Sequence, residues 1–212
     1  MLELMVRTLP ALLAFTVAAT AAVHGSGGVA EEINGGTLEQ AQLSPAPPPV
    51  QMLGRIAALA AEGAAGAALF GLGFALGFGL DYRPHPAALA PSLFTVADAL
   101  GYGLLIAALT VRVASIGAIT HVFNMVIMFF GGLMVPITMF PGALETFARF
   151  IPIALGVQAT NTTLSGEPLS ATVSDGTLPW LIVHATVLLT VGLAIYTRNI
   201  RRAQREGGLS LR

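Results

Sequence analysis

Apolar residues run along this chain in long blocks, separated by short segments rich in proline, glycine, asparagine and serine. A helix needs about 20 mostly apolar residues to cross the hydrocarbon core of a bilayer. Five blocks reach that length: about Leu4–Val23, Leu53–Leu80, Ser92–Val113, Gly117–Phe140 and Leu178–Thr197. The turn-forming linkers suit chain reversals at the membrane surfaces. The pattern predicts an all-α, polytopic transmembrane helix bundle of about five spans. A shorter element follows the fourth block, where Leu144, Phe147, Phe150 and Ile151 recur at helical spacing. Within it, Glu145 stands four residues before Arg149, the favourable order for a surface pair. Pro136 and Pro141 lie before this element and Pro152 after it. It reads as a short amphipathic helix at the outer interface, re-entrant because it is too short and too charged to span.

Composition sharpens the membrane reading. The 212 residues are 55% hydrophobic and 10% charged, with a mean hydropathy of +0.78. A soluble domain carries about 25% charged residues, so water-facing surface is scarce here. Cysteine is absent, which excludes disulfides, thiolate nucleophiles and Cys-based metal sites. Every Lys/Arg position is an arginine, so neither a P-loop lysine nor a Schiff-base lysine is available. A net charge of -1 gives no reason to expect nucleic acid as a partner. The four histidines have no close ligand spacing, and no metal site is expected.

Arginine placement predicts orientation. Arg198, Arg201, Arg202, Arg205 and Arg212 put the C-terminal tail, residues 201–212, in the cytoplasm. Alternation then places Arg112 and Arg55 inside, and Arg7, Arg83 and Arg149 outside. This leaves the N-terminus outside. A secretory signal peptide is the other reading of the first block, from Arg7 and the Ala-rich stretch at residues 18–23.

Ionisable residues inside apolar spans mark functional candidates, because each costs about 2.5–3.5 kcal/mol or more at a helix centre. Glu62 lies about 12 Å along the second span at 1.5 Å per residue, and His121 falls at a similar depth in the fourth. Asp98 and His184 lie nearer the outer side of the third and fifth. Height alone predicts two acid–histidine contacts, Glu62 with His121 and Asp98 with His184; each group simply reaching water is the other reading. Small residues in the second span suit helix packing: Gly63, Ala67 and Gly71, then Gly73 and Gly77. His24-Gly25-Ser26-Gly27 reads as a turn, with no base placed to make its serine a nucleophile, and Asn161-Thr162-Thr163 as an external loop.

Residues 31–58 carry the most specific pattern. A polar stretch leads to Thr37, a candidate helix N-cap with Gln40 three residues on, then to Ser44-Pro45 and a proline cluster, and back to apolar sequence at Leu53. A bland connector is the alternative. In order, Glu32, Gly36, Thr37, Leu38, Glu39, Gln40, Ser44, Pro45, Leu53, Gly54 and Arg55 resemble the first cytoplasmic loop of type-2 ABC exporter permeases. A second resemblance follows the fourth block: Phe130-Gly131-Gly132-Leu133-Met134-Val135-Pro136, then Phe140-Pro141-Gly142 and Ile151-Pro152, with Ile151 in place of the family's usual asparagine.

The resemblance implies a single permease domain over residues 1–200, part of an ATP-driven exporter in a bacterial inner membrane. ATP and Mg would reside on a separate ABC ATPase subunit, with no cofactor and no catalysis on this chain. A second permease copy, or a homologous permease, would complete the channel within the lipid. The helix near Thr37–Leu43 would couple to the ATPase, with Glu32 and Glu39 meeting arginines or backbone donors of that partner. The first apolar block would correspond to the family's second helix. An Ala-, Leu-, Phe- and Gly-rich cavity would suit a drug-like compound or a lipid. Lipid or polysaccharide export by the same architecture is the neighbouring reading. A membrane-embedded enzyme or assembly factor without an ATPase is the more distant one.

Overall fold

The structure, a computed structural model, describes residues 2–35, 45–79, 86–112 and 116–205. Among them run α1 (Leu2–Asn34), α2 (Pro48–Phe78), α3 (Leu89–Thr110), α4 (Ile116–Phe130), α5 (Gly142–Ala148), α6 (Ala154–Leu164), α7 (Leu169–Ser174) and α8 (Thr177–Arg205). Single 3-10 turns at Pro86–Ala88 and Ile137–Met139 precede α3 and α5.

Four segments are long and apolar enough to cross a membrane: Leu12–Glu32, Pro48–Phe78, Pro86–Thr110 and Thr177–Ala203. The predicted fourth span is shorter than expected. Its helix ends at Phe130, and the chain turns at Gly131 and Gly132, where Gly132 adopts φ +87°. Leu133, Val135 and Phe140 keep the sequence apolar past that point, so hydropathy runs on where the backbone does not. Fifteen residues rise about 22 Å, less than the roughly 30 Å hydrocarbon core.

The first helix departs from expectation in the other direction. It continues through His24-Gly25-Ser26-Gly27, so the turn expected there is not formed. Val29, buried against Met52, Ile56 and Tyr196, anchors the helix beyond the glycines. Tertiary packing outweighs a glycine cost of about 1 kcal/mol per residue. Asn161–Thr163 likewise lies in α6 rather than in a loop, with Thr163 buried and its hydroxyl bonded to Ala159 O and Thr160 O.

The core sits along α3, the most enclosed of the four long helices, which packs chiefly on α8 and α1. The contacts are close because the crossing points carry no side chain. A Cβ on Gly101 would stand 2.7 Å from Leu188 Cβ, and one on Gly103 2.8 Å from Ala21 Cβ. In the second span, Gly63 and Gly71 face α1 at Val17, Thr20 and Leu13, and Ala67 is buried. Gly73 and Gly77 face open space instead.

Two apolar clusters fix the ends of the bundle. Phe94, Leu155, Leu169, Leu178 and Leu181 pack at one end. At the other, Val29, Met52, Ile56, Leu104, Ala108, Tyr196 and Ile200 gather the end of α1, the start of α2 and the ends of α3 and α8.

Candidate functional site

The end of the bundle that carries α5 and α6 is built around Asp98, a carboxyl group 1% exposed on α3. Its Oδ1 lies 2.7 Å from Nδ1 of His184 on α8. Its Oδ2 accepts the backbone N–H of Ile153 at 2.7 Å. His184 Nε2 lies 3.1 Å from the carbonyl oxygen of Phe150. One side chain pair thus ties α3 and α8 to the turn between α5 and α6.

The chemistry of these partners fixes the proton count. A carbonyl oxygen only accepts, so Nε2 carries a proton toward Phe150. One further proton lies between Nδ1 and Asp98 Oδ1, and on whichever atom it sits the pair has no net charge. Neutrality matters in an apolar bundle, where an uncompensated charge is costly.

The turn held by Asp98 is strained. Ile153 adopts φ 66°, ψ -19° immediately before α6, a left-handed conformation that costs a non-glycine residue about 1–2 kcal/mol. Its side chain is fully buried, and Asp98 accepts its N–H. Asp98 therefore caps the start of α6 from another helix, with its oxygen placed favourably for the helix dipole. Gly156, one turn on, leaves room for Thr95 of α3, whose hydroxyl a Cβ there would strike. The hydroxyl itself donates to Pro91 O at 2.6 Å.

Before this turn, Glu145 and Arg149 pair at 2.8 Å across one turn of α5 and its end. Pro141 starts α5, and Pro152 lies directly before Ile153. Phe147 packs edge-on to Phe130 at 5.3 Å, and Phe150 edge-on to Trp180 at 5.9 Å. Pro136 opens the 3-10 turn that leads into this segment.

The second expected acid–histidine contact is not made. Glu62 and His121 are both exposed on the chain's own surface, with no hydrogen bond between them among the described residues. Equal depth in two helices sets a height, but both side chains lie exposed on the chain's own surface and not against each other. Asn124, one turn from His121, instead accepts the Tyr102 hydroxyl at 3.1 Å and joins α4 to α3.

At the opposite end, Glu32 meets Arg55 of its own chain, an ion pair between the end of α1 and the start of α2. It is thus engaged internally rather than free for a partner, although its Oε2 is buried without a hydrogen-bond partner among the described residues. Gly36, Thr37, Leu38, Glu39 and Gln40 lie outside the described residues. Asn199 of α8 donates to Ala108 O at 2.9 Å, closing the end of α3. Among the described residues, no cluster of three or more His, Asp or Glu side chains is placed to hold a metal.

Sequence reasoning missed Phe150, Ile153, Asn124 and the close-contact glycines Gly101 and Gly103. The first two contribute backbone atoms, which residue type does not announce. The Gly101-Tyr102-Gly103 spacing was a usable signal, since small residues in an apolar helix mark contact points.

Comparison with known proteins completes the picture. Nothing among curated proteins or solved structures matches the chain at a significant level. The family model for the ABC-2 type transporter matches residues 3–164, well over half of the chain, from α1 through α6. With four helices suited to spanning a membrane and a short helical segment tied to two of them, the chain belongs to the ABC-2 type transporter family, as a multi-pass permease subunit of an ABC transporter.

Proposed function

We propose that this subunit exports a hydrophobic or amphipathic molecule, a drug-like compound or a lipid, from a bacterial cell. In this reading its C-terminus is cytoplasmic, and ATP with Mg is hydrolysed by a separate ABC ATPase. A second copy, or a homologous permease, completes the pathway. The arginines support the orientation. Arg55 lies near the start of α2, whose Met52 and Ile56 share a cluster with Tyr196 and Ile200 of α8, and Arg198, Arg201, Arg202 and Arg205 stand at the same end. Clustered arginine favours the cytoplasmic side.

The observation that carries the coupling role is the Glu32–Arg55 pair. It joins α1 to α2, the two helices that flank in sequence residues 36–44, the segment expected to meet the ATPase. A push on that segment is then delivered to α1 and α2 together. α1 packs against α3, so the push reaches the helix that bears Asp98.

Reconstitution of the permease with its cognate ATPase in liposomes tests this reading. ATP-dependent efflux of an amphipathic dye, or flipping of a fluorescent lipid, is expected. Arg55→Gln should leave the complex assembled and lower the substrate moved per ATP. Efflux that proceeds equally without ATP, or an ATPase that never binds the permease, would sink the proposal.

A further inference from the structure

α8 presents a single continuous stripe toward a groove of about 630 Å³. Thr190, Leu193, Ala194 and Thr197 form its membrane-side half, with Pro49 from the start of α2 opposite. Arg198, Arg201, Arg202 and Arg205 form the other half. The spacing between successive positions is three, one, three, one, three, one and three residues, which keeps all eight on one helix face. The arginines of this helix are therefore not scattered around its exposed arc. Tyr196 and Ile200 are buried against the bundle on the other side, and Asn199 is tied to α3.

We propose that this groove is a binding site for an anionic phospholipid. The arrangement matches the molecule at both ends. Arg198, Arg201 and Arg202 lie in the last two turns of the apolar segment Thr177–Ala203 and Arg205 just beyond it, where the end of a spanning helix would meet lipid head groups. The arginines give the described lining of the groove a positive charge that complements a phosphate. Leu193 and Ala194 continue from the arginines into the apolar part of α8, along the path of an acyl chain. Arginine forks bind phosphate oxygens in pairs, and basic pockets between helices at a membrane surface select anionic lipid head groups. A soluble anion would use the arginines but leave the apolar half empty.

The purified full-length chain in a neutral detergent tests the site, by native mass spectrometry with added phosphatidylglycerol or phosphatidylcholine. Phosphatidylglycerol should be retained and phosphatidylcholine lost. Replacing the four arginines by glutamine should weaken retention by about fivefold per residue, the equivalent of ~1 kcal/mol each. If that variant is poorly produced, R201Q/R205Q serves, with a decline of roughly 25-fold expected on the same scale. Ala194→Trp, which fills the apolar half, should also reduce retention, and inorganic phosphate should not compete. Equal retention of both lipids, unchanged retention in the arginine variants, or displacement by inorganic phosphate would overturn the proposal. So would arginine variants that keep the lipid and lose only ATPase binding, which would make the stripe a protein-docking face.

Discussion

At the end that carries α5 and α6, buried Asp98 and half-buried His184 form a net-neutral pair satisfied by backbone groups of the α5–α6 turn. At the opposite end, Glu32 and Arg55 meet at a partly exposed surface beside four arginines that share one helix face. The first arrangement confines polar groups where water is scarce and makes them hold a strained backbone. The second leaves charge at a partly exposed surface. The same bundle thus uses ionisable side chains as internal clamps at one end and leaves them partly exposed at the other.

That contrast is open to direct attack. The largest effect should come from Asp98→Ala, which strands His184 and the Ile153 N–H together. Breaking one partner of a buried pair costs about 3–5 kcal/mol, so thermal unfolding in detergent should show a large loss. Adding His184→Phe to that variant should cost far less than its single-mutant effect predicts, because the two residues form one unit. Additive losses would show that the pair is not coupled.

Next in size, Gly103→Ala brings a Cβ to 2.8 Å from Ala21 Cβ and 2.9 Å from its carbonyl carbon. Forcing such backbones apart costs about 1–3 kcal/mol. Gly77→Ala, facing open space on α2, is the matched control and should be neutral or slightly stabilising.

The Glu32–Arg55 pair should matter less to stability. Glu32→Gln removes a partly exposed ion pair worth at most about 1 kcal/mol, and its main effect is expected in transport rather than in melting. A loss as large as that of Asp98→Ala would erase the distinction between the two ends. Smallest of all, Glu145→Gln breaks a one-turn surface pair and should cost about 0.3–0.5 kcal/mol, at the edge of detection in a denaturation series.

What could be read from the sequence follows the same division. Asp98 and His184 were legible because an acid and a histidine in apolar spans have few reasons to be there, and their heights agree. Glu62 and His121 satisfied the same test and do not meet. Height along a helix follows from counting residues; the face a residue occupies depends on which neighbours the helix finds. The short α4 was illegible for a related reason. Its end is set by Gly131 and Gly132, yet the residues beyond stay apolar, so hydropathy alone carries the helix to Phe140. Ile153 could not be foreseen at all, because nothing about an isoleucine after a proline announces a left-handed turn held by a carboxylate fifty-five positions away.

The chain contains one tryptophan, and Trp180 packs edge-on against Phe150, whose carbonyl oxygen His184 engages. Ultraviolet emission from the protein therefore has a single indole source, located beside the α5–α6 turn. Lifting that turn off α8 would separate the rings and change the wavelength and yield of the light. The unlabelled permease carries its own optical gauge of whether the clamp is shut, readable in a cuvette during turnover.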